Sequence, residues 1–207
     1  MIRYPDKKTI KQFIDLIAIS DGYYEIRFFS KDIRYRRFFI KNEKISENIS
    51  RFIYNYKNAN NFDWYIGIFA RNKKDGTSEA IDKCNLIFID IDDYKYVKML
   101  PLLIDDVKTN FFNPYIVAVS GRGVHIYFRI DDLDKDTWRI YQKIVGEYFK
   151  NKYNAEYFID VTRIARIIGT WNYKSNKPTF LSYYSKNKIS IEELNNFFKL
   201  KELSKSV

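Results

Sequence analysis

The chain has 207 residues, with one cysteine, Cys84, and one histidine, His125, which excludes an internal disulfide, a Cys-rich zinc site, an HExxH metal motif and the HxH of rolling-circle nucleases. No run of 18 apolar residues exists and the charged opening MIRYPDKKTIKQF lacks a signal-peptide core, so the expectation is a soluble, cytoplasmic protein with no membrane partner. A formal net charge of +10 with 18% aromatic residues suits single-stranded nucleic acid, where phosphates meet Lys and Arg and bases stack on rings; an A/T-rich genome would inflate the same residue types.

In chain order, Ile10, Phe13, Ile14 and Ile17 recur at helical spacing and predict a helix over 7–19. Strands are expected at 22–29 and 33–40, turning at Ser30-Lys31-Asp32, then a helix over 44–57 with Ile45, Ile49, Phe52, Ile53 and Tyr56 on one face. A strand over 64–70 leads into the polar loop 71–76. The second half reads as a strand over 85–92, a helix over 94–109 that Pro101 should kink or delay, a strand over 115–120, a Gly121-Arg122-Gly123 turn, and a strand over 124–130. A helix over 135–152, strands near 157–160 and 178–184, and a last helix opened by the capping box Ser190…Glu193 complete the pattern.

The order from 85 to 160 is β-α-β-β-α-β. The predicted fold class is therefore α+β: an RRM-like (ferredoxin-like) sheet over residues 85–207, fused to an N-terminal α/β subdomain over 1–84. In this topology the first and third strands are antiparallel central neighbours, the fourth flanks the first, and one sheet face stays free of helices.

The run Leu86-Ile-Phe-Ile-Asp90-Ile-Asp92 ends in two carboxylates spaced by two, so both point to one face of the strand. Two repelling acids at the end of a buried strand suit a hard divalent cation, Mg²⁺ or Mn²⁺; the competing reading is a pair of solvated loop acids. Along 124–130 the apolar set Val124, Ile126, Phe128 and Ile130 must face the helices, which turns His125 to the open face beside Asp90 and Asp92. Asp160 closes the fourth strand, within reach of the same cations, unless it merely opens a turn. Three acids converging there would meet the needs of two-metal phosphoryl transfer. Ser120 and Arg122 flank glycines that permit close backbone approach, or that serve only a tight hairpin. Downstream, Arg163, Arg166, Asn172 and Lys174 follow Asp160 at short intervals; a helical turn would put Arg163 and Arg166 on one face.

These motifs, in this order, resemble the archaeo-eukaryotic primase superfamily, nearest its primase-polymerase branch. The apolar run to Asp90-Ile-Asp92, the Ser120-Gly121 and Gly123-Val-His125 pair, Ile159-Asp160, and the Arg166-x-x-Gly169-Thr-x-Asn172-x-Lys174 pattern carry the resemblance over residues 86–174. It implies that the two subdomains form one catalytic domain that adds dNTPs or NTPs to a strand on single-stranded DNA template or primer, with Mg²⁺ or Mn²⁺ held by Asp90, Asp92 and Asp160. His125 would bind the triphosphate with Ser120, Arg122, Arg166 and Lys174, aided by Arg163 and Asn172. Arg71 and Asn72 would reach the nucleotide from the N-terminal side, and Arg34, Arg36, Lys73 and Lys74 would hold the template, where a solvated basic face competes as a reading. The family is encoded in plasmids, viruses and some CRISPR-associated loci, so a helicase or other replication or CRISPR-associated factors are the implied partners. Against the family pattern, one Cys and one His cannot supply its zinc element, so no zinc is expected. The short stretch after Lys174 lacks room for its added helical domain, which puts nucleotide addition ahead of de novo priming and suits an excised core of a longer protein. A non-catalytic RRM-like binder of single strands and a metal-dependent nuclease are the alternatives.

Overall fold

The computed structural model describes residues 5–30, 36–56 and 59–203. Helix α1 (Lys7–Ile17) starts at Asp6, whose carboxylate accepts from the backbone N–H of Lys8 and Thr9, and it buries the four apolar residues that predicted it. Strands β1 (Tyr23–Phe29) and β2 (Arg36–Lys41) pair antiparallel; residues 31–35, Arg34 among them, lie outside the described residues. Helix α2 (Ile45–Asn55) follows, then β3 (Asp63–Gly67). The rings of Phe28, Phe52, Tyr56, Phe62 and Trp64 lock α2 onto this sheet.

Strand β4 (Cys84–Ile91) is buried along nearly all its length. The helix expected over 94–109 is two helices, α3 (Tyr94–Lys98) and α4 (Leu100–Asn110), which meet at Met99. Pro101 sits in the first turn of α4, where its missing N–H leaves no bond unmade. Then come β5 (Ile116–Val119), β6 (Val124–Leu133), α5 (Lys135–Tyr153) and β7 (Glu156–Tyr157). Three short strands, β8 (Ile164–Arg166), β9 (Trp171–Asn172) and β10 (Lys177–Pro178), precede β11 (Phe180–Tyr184) and α6 (Ile191–Leu203). The capping box forms: Glu193 accepts from the Ser190 backbone and Ser190 Oγ accepts from the Glu193 N–H.

The larger sheet has the order β11-β5-β6-β4-β7, the expected RRM-like arrangement with β11 added outside β5. The smaller one runs β2-β1-β3-β8. Two expectations need correction here. Residues 163–166 are not a helical turn: a turn ends at Arg163, and β8 then pairs with β3, so the first sheet draws on both halves of the chain. The helix-free face of the larger sheet is also not open along its length. Phe13 of α1 packs edge-on against Tyr127, which is wholly buried and stacked on Phe88. Burying the apolar stripe of α1 required a surface, and the aromatic centre of that face supplied it. What stays open is the strand end that carries Asp90, Asp92 and His125.

On the opposite face, α5 completes the edge of β4 that the two-residue β7 cannot cover. Trp138 Nε1 donates to Leu86 O at 2.8 Å. The amide of Gln142, itself fully buried, donates to Phe88 O (2.8 Å) and accepts from Phe88 N (3.0 Å). Among the described residues no helix is long and apolar enough to cross a membrane.

Candidate active site

Asp90 and His125 are direct partners in the β4–β6 register, and His125 Nε2 lies 3.6 Å from Asp90 Oδ1. Burial, and then the neighbouring Asp92, push the Asp90 carboxyl up to about 6, against the pull of Arg163 and Arg166. Burial, followed by Arg166 and Arg163, pushes His125 down to about 3, so its imidazole is neutral at physiological pH. Tyr127 Oη lies 3.3 Å from His125 Nδ1, and Phe88 meets the ring edge-on. Asp92, past the end of β4, is exposed.

The turn from Ser120 to Gly123 closes with Ser120 N–H donating to Gly123 O. A side chain at Gly123 would strike Ile91 O at 2.5 Å, so glycine lets this turn sit against the Asp90–Asp92 strand end. Gly121 has φ +117 and faces Asn172 and Ser175 at under 3 Å from an added Cβ. Asn172 Nδ2 donates to Ser120 O at 2.6 Å, and its Oδ1 accepts from Ser175 N. Asn172 thus ties two loops together.

From the other side, β8 delivers Arg166, paired with Asp63 and donating to Tyr65 Oη at 2.8 Å. Asp63 Oδ1 also accepts from Tyr173 N at 2.9 Å. Arg163 lies 3.3 Å above the Phe158 ring, with its Nε buried and without a hydrogen-bond partner. Burial lowers its pKa, against the fields of Asp90, Glu156 and Asp160, which raise it. Asp90, Asp92, Ser120, Arg122, His125, Arg163, Arg166, Asn172 and Lys174 all line one cavity of about 280 Å³.

Other candidates lie elsewhere. Asp160 is exposed and does not line the cavity; its carboxylate accepts from Thr162 N and Thr162 Oγ1. The acid in register beside Asp90 is Glu156, at the start of β7. Arg71 is buried against Glu25 (2.7 Å), Asn72 bonds Asp82, Lys73 pairs with Asp75, and Lys74 sits over Tyr23. Arg36 is exposed on β2, and Arg34 is outside the described residues. Sequence reasoning missed Asp63, Tyr65, Ser175 and Glu156. The signal for the first two was present: Asp63 and Tyr65 alternate with the apolar Trp64 and Ile66, as functional residues on one strand face do.

The donor set can be tested against a metal. Asp90 and Asp92 offer only oxygen, which suits Mg²⁺ or Mn²⁺ and not zinc. Burial first, and Asp92 second, raise the Asp90 carboxyl, a charge cost that a bound cation would offset. Among the described residues no three His, Cys, Asp or Glu side chains are gathered to hold an ion, so the fit is to two carboxylates, with substrate and water oxygens filling the rest.

No family model matches the chain. Over 108 residues it is 34% identical to a replication protein of Clostridium perfringens, covering 47% of this chain and only 26% of that one. Three solved structures share its fold: the archaeo-eukaryotic primase domain of the cyanophage S-2L primase-polymerase (TM-score 0.62, 12% identity, 94% of this chain and 97% of that one); the primase RepB′ (0.64, 13%, 97% and 64%); and the RepB′ catalytic domain in complex with initiator DNA (0.63, 14%, 96% and 98%). The fold is that of archaeo-eukaryotic primase catalytic domains, as the ordered motifs lead one to expect.

Proposed function

We propose that the chain is a primase-type nucleotidyltransferase that adds dNTPs or NTPs to a strand on single-stranded DNA. The observation that carries this reading is the composition of one cavity: Asp90 and Asp92 on one wall, and His125, Arg163, Arg166, Arg122 and Lys174 around it. Acids alone would suit a nuclease. Acids beside a ring of triphosphate-sized cation donors suit nucleotidyl transfer. Mg²⁺ or Mn²⁺ on Asp90 and Asp92 would supply Lewis-acid activation of a 3′-hydroxyl and neutralise phosphate charge. The chain's own groups do the rest. Neutral His125 offers a hydrogen bond without adding charge beside Asp90. Arg166, held by Asp63 and Tyr65, presents a fixed guanidinium. Arg163 brings an unpaired buried Nε that an anionic oxygen would satisfy. Asp160, in the field of Arg163, would join Asp90 and Asp92 as a ligand only if its carboxylate left Thr162. The likeness to a RepB′ domain solved with initiator DNA supports a DNA substrate.

The test is incubation with labelled dNTPs or NTPs, Mn²⁺ or Mg²⁺, and primed and unprimed single-stranded templates. Polymer is expected, abolished in Asp90→Ala and Asp92→Ala; full activity in either variant overturns the assignment. Degradation of the strand without nucleotide consumption would select a nuclease, and EDTA-insensitive binding without product a simple binder.

A further inference from the structure

Tyr94 follows Asp92, a residue that lines the cavity, by two positions and opens α3. Lys177 Nζ lies 3.4 Å from the centre of its ring and Lys98 Nζ 5.4 Å from it. The ring is nonetheless 43% exposed, so it is a platform at the surface and not a core residue. Lys177 is the β10 partner of Asn172, a cavity residue, so the contact with Tyr94 joins the two walls of the site. Lys174 and Arg122, both exposed, continue the same rim from inside the cavity. Among the described residues none of Arg122, Lys98, Lys174 and Lys177 has an acid within ion-pair distance. Asp93, the acid closest in sequence to Tyr94, is taken by the N-cap bond to Lys95 and the Lys95 ammonium.

A solvated basic face scatters its ammonium groups. Here one exposed ring holds two of them against the mouth of the cleft, with no internal counter-ion. We propose that Tyr94, Lys98 and Lys177 form a phosphate-binding rim for a single strand of nucleic acid at the cleft mouth. The ring fixes the two ammonium groups by cation–π attraction, and their remaining N–H donors face the phosphodiester backbone. The proposal rests on the reading of the cleft as a nucleotidyl-transfer site for the statement that this strand is the enzyme's own substrate.

The test is binding of a fluorescent oligo(dT) to the full chain across a salt series, in EDTA and without nucleotides. Each lost phosphate contact should lower the slope of log K against log salt by about 0.7 for a single strand, so Lys98→Gln with Lys177→Gln should lower it by about 1.4. Lys143→Gln with Lys150→Gln, the same charge change on α5, should leave the slope unchanged. An unchanged slope in the rim variant, or equal losses in both, overturns the rim. The two readings fail separately: a chain that shows the slope difference but makes no polymer keeps the rim and loses the activity, and one that polymerises without the difference loses the rim alone.

Discussion

His125 faces Asp90 across adjacent antiparallel strands, and Tyr127 closes the other end of its ring. Burial keeps the Tyr127 phenol protonated, its pKa raised well above the ordinary value. Nε2 is the nitrogen that faces the Asp90 carboxylate, so the tautomer with its proton on Nε2 and the Tyr127 hydroxyl donating to Nδ1 is the one that avoids setting two acceptors against each other. His125→Ala should therefore lower kcat/KM for nucleotide about 10- to 100-fold, as loss of one hydrogen bond to a charged oxygen does. Tyr127→Phe, which frees the tautomer and leaves the ring, should cost about 2- to 10-fold. Steady-state kinetics on primed template measure both. No loss in Tyr127→Phe would show that Tyr127 acts through the packing of its ring and not through the tautomer.

Asp63 should position Arg166 at the cost of stability if removed. The pair is nearly buried, with Tyr173 N–H on the same oxygen. Asp63→Ala leaves a buried guanidinium with Tyr65 alone, which costs about 3 kcal/mol and lowers Tm by about 6–12 °C in a chain of this size. KM for nucleotide should rise roughly tenfold. Asp63→Ala with Arg166→Ala should regain much of the stability by removing the orphaned charge, and none of the affinity. Thermal melts with matched kinetics decide it; a double variant no more stable than Asp63→Ala alone would show that the ion pair is not the cause.

The Asp90–His125 relationship was legible because two local signals agreed. Alternation fixed which face each strand presented, and the β-α-β-β-α-β order fixed which strands were neighbours. Asn172, Lys174, Arg163 and Arg166 were legible as a motif but not as geometry. The segment around Arg166 becomes a strand only because β3, a hundred residues earlier, offers an edge, and no local periodicity carries that. Arg71 looked like an exposed cation because nothing in its loop announces Glu25, buried on β1. The closure of the aromatic sheet face by Phe13 was hidden for the same reason: α1 shows that it has an apolar stripe, not where the stripe goes. Asp160 matched its motif, yet Thr162 is a ready partner two residues on, and a carboxylate with a local donor takes it.

Cys84 gives a probe of the core. It is fully buried, and burial pushes its thiol up to about 12. The thiolate is the reactive form, so at pH 8 only ~10⁻⁴ of the thiol is ionised even where reagent can reach it. The folded protein should release no chromophore from a disulfide reagent over minutes, and one equivalent at once in guanidinium. Prompt stoichiometric reaction of the native chain would mean that the start of β4 opens readily to solvent.

Gly146 offers the sharpest check on how the acid-bearing edge is held. It lies inside α5, where Gly→Ala ordinarily stabilises by about 1 kcal/mol. Here an added Cβ would sit 2.2–2.5 Å from the Tyr157 ring, which is pinned by its hydroxyl to Glu147 and by its strand pairing to Ile89. Overpacking of that kind costs about 1–3 kcal/mol, so Gly146→Ala should be neutral to destabilising. In a Tyr157→Ala background the ring is gone, and the same substitution should stabilise by the full helix-propensity gain. The sign change, read from two pairs of denaturant curves, isolates the contact between α5 and β7. If Gly146→Ala stabilises equally in both backgrounds, the ring does not lie against the helix, and the register that sets Glu156 beside Asp90 loses its support.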